Sequence, residues 1–218
     1  MQILLQSTIV SAKVWSFAIA PRDEQIVQKA IPHKANADNL RCLQDLEVRV
    51  RWLSSWIIHH ANHIRAHVDE LKVGGHQASC ASAVTLMTAL YFHSLRPQDR
   101  VAVKPHASPV FHAIQYLFGH QSLKNIQDFR AINGAQSYPS RTKDSDDVDV
   151  STGSVGLGPA MVAFLSIVQD YLRRHDNGLQ RTEPGRMIAI VGDAEMDEGN
   201  MYEALWEGWK HDLRNCWW

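Results

Sequence analysis

Residues 186–200 read RMIAIVGDAEMDEGN in one-letter code. Met187, Ile188, Ala189, Ile190 and Val191 are apolar without alternation, the pattern of a strand buried on both faces and hence of a parallel sheet. Gly192 and Asp193 follow at its carboxyl end, where open parallel sheets bind their ligands. A carboxylate there suits Mg²⁺ or Ca²⁺, hard cations that take oxygen ligands and commonly bridge to phosphate. A plainer task also fits: Asp193, Glu195, Asp197 and Glu198 can cap the helix expected over 199–211, since acidic side chains stabilise the unpaired N–H groups of a first turn. The residues alone leave both readings open.

Working upstream, STGSVGLGPA at 151–160 places Gly153, Gly156 and Gly158 in a loop just before a helix expected over 158–174. Backbone N–H groups at such a junction attract anions, though the glycine order matches neither the dinucleotide fingerprint nor the P-loop. Residues 133–156 hold turn formers and charge with little apolar periodicity, which predicts a long surface loop. Val101-Ala102-Val103 predicts a short buried strand, followed by KPHASP and a helical run, VFHAIQYLFG. Further upstream, Gly74-Gly75 separates a helix over 78–94 from one long amphipathic helix. Its stripe is built by apolar residues at 43, 46, 50, 53, 57, 61, 64, 68 and 71. Downstream, Cys216-Trp217-Trp218 opens another strand. The expected fold is α/β, a parallel sheet flanked by helices, with residues 1–40 a leader of uncertain structure and 41–218 one domain cut short inside the alternation.

Two imidazoles stand out: His76 in GGHQAS and His106 in KPHASP, each in a loop and each able to move a proton or donate to an anion. His59, His63 and His67 repeat every four residues, a spacing that can chelate zinc, but they lie opposite the apolar stripe and read as a solvated face. Trp52 and Trp56 flank that stripe, and Trp206 and Trp209 fall at helical spacing, so all four are expected in the core.

The chain has 218 residues, 45% hydrophobic and 21% charged, with a net charge of −1. That is enough apolar material for a full core, and it gives no electrostatic support to a nucleic-acid or anionic-membrane partner. Substrates are expected to be small. Cys42, Cys80 and Cys216 form no CxxC pair, which fits reduced thiols in the cytoplasm. The first twenty residues lack a basic n-region and are interrupted by Lys13, so they make a poor signal peptide and a poor membrane span.

Taken in order, GGHQAS, KPHASPVFHAIQYL, QSYPSRTKD, STGSVGLG and VGDAEMDEGN resemble the amino-terminal half of a thiamine-diphosphate enzyme of the transketolase and homodimeric pyruvate dehydrogenase kind. The resemblance covers about residues 43–218. It implies thiamine diphosphate and Mg²⁺ (or Ca²⁺) as cofactors, with Asp193 as first metal ligand and Gly192, Ala194 and Glu195 beside the diphosphate. It further implies that Gly156, Leu157 and Gly158 border the cofactor, and that His76 and His106 line the catalytic pocket. Glu198 and Glu203 match subunit-interface glutamates of a homodimer. The implied substrate is a 2-oxo acid or a sugar phosphate. Two departures accompany it: Ala194 stands where the family motif has its second glycine, and the chain ends before the segment with the asparagine metal ligand, so a missing C-terminal half or partner chain is expected. The alternative is a non-catalytic binding module. A metal-dependent phosphohydrolase built on Asp193 lacks a DxD partner.

Overall fold

The computed structural model describes residues 37–66, 71–175 and 183–218. Helix α1 runs Ala37–His59 and α2 Gln77–Ala89, each prolonged by a π turn, at His60–Ile64 and Leu90–Ser94. Strand β1, Arg100–Ala102, leads through a 3₁₀ turn, Pro105–Ala107, into α3, Ser108–Leu117, and the short α4, Leu123–Gln127. After a long loop come α5, Leu157–Arg174, β2, Met187–Ala189, α6, Asp193–Met196, α7, Gly199–Lys210, and β3, Cys216–Trp217.

The three strands lie in the order β1-β2-β3, all parallel, with Val101 opposite Ile188 and Met187 opposite Cys216. Because successive side chains of a strand point to opposite faces, each strand feeds two cores. Val101, Val103, Ile188 and Ile190 join α1, α2 and α3 around Ile57, Met87, Phe111 and Ile114. Ala102, Met187 and Ala189 turn the other way, onto Val162 of α5 and its neighbour Leu165. The result is a parallel sheet between two helical layers, the α/β class expected.

The amino-terminal ends of β1 and β2 are fastened by an ion pair. The fully buried Asp99 accepts from Arg186 Nε at 2.9 Å and from the Arg186 backbone N–H at 2.7 Å. Burial alone would raise the Asp99 carboxyl, but these bonds, and the Arg96 N–H, hold it below its ordinary 3.8.

Three expectations are corrected. The first helix does not continue to Leu71: it closes at the π turn, Arg65 becomes extended, and its guanidinium donates to the carbonyls of Gln127 and Phe129 at 3.3 and 2.9 Å. Leu71 is 72% exposed, while Val68 and His67 lie outside the described residues. Of the four tryptophans, Trp56 packs against the core as expected, but Trp52, Trp206 and Trp209 are 63, 62 and 74% exposed. Trp52 instead stacks on the half-buried Trp56, and Trp206 lies beside Trp209. Helical spacing placed them on a face without saying that another element covers it. Residues 133–156, finally, are a loop but not merely a surface one. Asp146, Val148, Asp149, Val150 and Thr152 are buried, and Asp149 Oδ2 accepts the Val101 N–H of β1 at 2.9 Å.

Removing the anion of the buried pair leaves Arg186 without its compensating charge, so Asp99→Ala is expected to lower the unfolding free energy by about 3 kcal/mol, read from urea melts at neutral pH. In the unaltered protein the contribution of a depressed carboxyl is complete above 3.8 and disappears as pH falls through its lower folded value. A loss below about 0.5 kcal/mol, the size of an ordinary surface substitution, would show that the pair is dispensable.

Candidate functional site

The carboxyl ends of β1 and β2 gather most of the residues singled out from sequence. Gly74 and Gly75 both adopt positive φ, and a Cβ on Gly75 would come within 2.9 Å of Ile58 Cγ2. Asn62, within the π turn that ends α1, pairs with both backbone groups of Gly74 at 2.9 Å. This fixes the entry to α2, whose N-cap residue is His76. Across from it, Pro105–Ala107 turns directly after β1 and presents His106, the ring centroids of the two histidines lying 4.4 Å apart. The buried Cys80 thiol donates to the His106 carbonyl at 3.4 Å, and burial pushes its pKa up to about 12, so it is a structural thiol and not a nucleophile. Partial burial, then the neighbouring charges of His106 and Arg130, lower the His76 pKa below 6.5. His76 is therefore neutral at pH 7, able to accept a proton at one ring nitrogen while donating from the other.

The second side of the site is formed by the glycine loop and the turn after β2. Gly156 is left-handed, with φ of 80°, and a Cβ there would sit 2.6 Å from Glu198 Cβ. A Cβ on Gly158 would sit 3.5 Å from Ala102 Cβ of β1, an ordinary contact, and Leu157, the first residue of α5, is half-buried. Gly192 is also crowded: a Cβ would meet both Glu195 Oε2 and Lys104 Nζ at 2.9 Å. Lys104 thus reaches from the segment after β1 to the turn after β2, placing an ammonium at the strand ends. Sequence reading passed over it. The signal available was a cation immediately after a buried strand, at the end where parallel sheets bind ligands.

The two readings of the acidic turn divide between its residues. Glu195 is buried and its carboxylate accepts the Gly192 N–H, a helix cap. Its pKa is raised, first by burial and also by Asp193, against the opposing effects of the Gly192 N–H and Lys104. Asp193, by contrast, is exposed and makes no hydrogen bond or ion pair with a described residue, so its carboxylate is open to a cation. Ala194 is exposed within α6 and is not among the positive-φ residues, so a methyl group there requires no left-handed backbone. Glu198 is the N-cap residue of α7 and Glu203 lies further along that helix, both exposed. His59 and His63 are exposed on α1 and its π turn, their rings 5.0 Å apart, as a solvated face requires.

A glycine loop, a cation and an open carboxylate thus lie at the carboxyl ends of the strands, the end at which open parallel α/β sheets bind ligands. Residues 74–210 match the family model described as transketolase, thiamine diphosphate binding domain, and the chain belongs to that family. It is 31% identical over 170 residues to a pyruvate dehydrogenase E1 component of Mycolicibacterium smegmatis, covering 71% of this chain and 18% of that protein. The corresponding Escherichia coli component is 28% identical over 186 residues, covering 81% and 20%. The mouse transketolase-like protein 2 is 29% identical over 186 residues, covering 79% and 26%. Among solved structures, the transketolase from Leishmania mexicana shares the fold with a TM-score of 0.68 at 19% identity, over 80% of this chain and 26% of that one. The chain thus spans about a fifth to a quarter of the length of these relatives. No helix among the described residues is long and apolar enough to cross a membrane.

Two outcomes follow from this geometry. Followed by NMR, the His76 ring is expected to titrate below 6.5 and to move towards that value in Arg130→Ala, which removes one of the depressing charges; an unmoved midpoint would mean that Arg130 does not act on it. Gly156→Ala is expected to cost about 2 kcal/mol, combining left-handed strain with the Glu198 collision. Adding Glu198→Gly is expected to restore only the steric part, so complete or absent recovery in denaturant melts would contradict the two-part origin.

Proposed function

We propose that this chain binds the diphosphate end of thiamine diphosphate together with Mg²⁺, or Ca²⁺, as the amino-terminal domain of an enzyme that decarboxylates a 2-oxo acid or transfers a two-carbon unit. Residues 41–218 form that domain in this reading, following a separate leader over 1–40. The observation that carries it is the meeting at the strand ends of the Lys104 ammonium, the Gly156–Gly158 loop and the unpartnered Asp193 carboxylate. These groups fit the cofactor: a cation and backbone N–H groups for phosphate oxygens, and a hard oxygen ligand for the bridging cation. Gly192, Ala194 and Glu195 would shape the turn beneath the diphosphate, with Glu195 holding the turn closed through the Gly192 N–H and not itself ligating.

Thiamine diphosphate, when bound, supplies a carbon nucleophile and an electron sink for a carbanion. The chain's own contribution is positional and protonic. His76, neutral at pH 7, can take or return a proton at a reacting oxygen, and His106, 4.4 Å away, can donate to the same substrate group. Arg130 and Lys72 line an open recess of about 610 Å³ beside Val73, adding positive charge suited to an anionic substrate. The remaining ligands and the activating groups of such a site belong in this reading to a further segment or partner chain. A homodimer is supported by the exposed α7 face, where Tyr202, Trp206 and Trp209 accompany Glu198 and Glu203. A cytoplasmic setting is supported by free Cys42, Cys80 and Cys216, and a nucleic-acid or membrane partner lacks support in the charge.

Isothermal titration with thiamine diphosphate and Mg²⁺ tests the proposal. Saturable, magnesium-dependent binding is expected, lost in Asp193→Ala and weakened by roughly tenfold in Lys104→Met through loss of a charged hydrogen-bond donor. Folded protein that does not bind would overturn cofactor affinity for this chain and favour a non-catalytic module of the same fold.

A further inference from the structure

His112 is fully buried on α3, six residues beyond His106, and no step of the proposed chemistry uses it. Its ring sits edge-on to Phe111 and Phe129, with centroids at 5.5 and 6.3 Å. Both ring nitrogens are engaged, Nδ1 at 2.7 Å from Asp146 Oδ2 and Nε2 at 2.7 Å from the Gln136 carbonyl. A carbonyl only accepts, so Nε2 bears a proton. A carboxylate at Asp146 accepts from Gln121 Nε2, at 3.0 Å, and from Nδ1 alike. Both nitrogens then donate, and the ring is an imidazolium.

The groups facing this ring from every packed element are few: Asp146 and Asp144 from the loop, Gln136 at its start, Gln121 after α3, and the two phenyl rings. Burial by itself would lower the His112 pKa, but the Asp146 hydrogen bond and charge, then Asp144 and the Gln136 carbonyl, carry it above 6.5. Asp144 is raised above its ordinary 3.8, mainly by burial. Ligand atoms of His112, Asp144 and Asp146 lie within 4.8 Å of one another, a grouping able to hold a metal in principle. A ring that donates from both nitrogens has no lone pair for a cation, and the Asp144 oxygens accept the Gln136 and Ser140 N–H groups at 2.9 and 2.7 Å. The cluster is a fastener.

What it joins are two segments that reach the candidate site from opposite sides. Helix α3 starts immediately after Lys104 and His106, whereas the 133–152 loop runs on into Gly156 and Gly158. We propose that His112, as an imidazolium bonded to Asp146, is a positioning residue that clamps the loop to α3 and thereby sets the glycine turn against Lys104 and His106. This rests on the reading of that turn as part of the cofactor cradle. A clamp of this sign is complete below 6.5 and is released as pH rises through the raised folded value.

The first test is ¹⁵N NMR of the side-chain nitrogens in the unaltered chain at pH 7. Two protonated nitrogens on His112 are expected; one unprotonated nitrogen makes the ring a neutral acceptor or a ligand and ends the proposal. The second is hydrogen exchange of peptides spanning 133–158 between pH 6 and 9, corrected for intrinsic rates. Protection is expected to drop roughly tenfold as His112 deprotonates, and to be low and independent of this titration in His112→Gln, as befits loss of a charge-assisted bond. Unchanged protection in that variant, or a flat profile in the parent, overturns the clamp. Neither readout needs cofactor, so a failure to bind thiamine diphosphate would count against the proposed function and leave these outcomes decisive for His112.

Discussion

The buried bonds between Asp99 and Arg186 are the constraint on which the rest of the domain depends. They join the residue before β1 to the residue before β2 and so set the register of two short parallel strands that have little ladder of their own. Parallel strands pair through slanted bonds and need a long crossover, here containing α3, α4, the 133–152 loop and α5. With the register fixed at one end, Lys104 and Gly192 are brought side by side at the other. An ion pair in an interior is weak as a source of net stability, since desolvating both charges offsets most of their attraction. Its value in this fold is specificity of alignment.

Aspartates perform a related service for the long loop. Buried backbone must find partners, and a segment without helix or strand has few of its own. Asp144 accepts two N–H groups within the loop, Asp149 accepts one from β1, and Asp146 faces His112. The Arg141 guanidinium returns to the Asp149 carbonyl at 3.1 Å, closing the loop on itself. Carboxylates used as acceptors for backbone donors let a polar sequence lie under the surface and end at a defined glycine turn.

The fold was legible in the sequence wherever one physical signal dominated. Continuous apolar character from Met187 to Val191 identified β2, and Gly192-Asp193 marked its carboxyl end. Periodicity gave α1 through Ile57 and Ala61, but it did not register the π turn, because an apolar stripe continues smoothly past the point where Arg65 leaves the helix for the Gln127 and Phe129 carbonyls. The loop looked superficial because its buried groups are aspartates, and a carboxylate shows its acceptor role only once the donors are in place. His112 and Lys104 were invisible for the same reason: each sits inside an unremarkable helix or loop run, and only tertiary contact gives it a task. Exposure of Trp206 and Trp209 was hidden because the spacing of aromatic residues defines a face but not its partner.

The π turn closing α1 has a consequence of its own. Such a turn holds one more residue than a regular α-helical turn, and Asn62, which grips both polar groups of Gly74, lies within it. Removing a single residue from 60–64 would return the helix to its ordinary winding and improve its hydrogen-bond geometry. Because five residues of a π turn cover about the rotation that four cover in an α-helix, everything beyond such a deletion would stay near its present angle around the axis. The extra residue is absorbed within the turn itself, the same turn whose Asn62 amide frames the approach to His76.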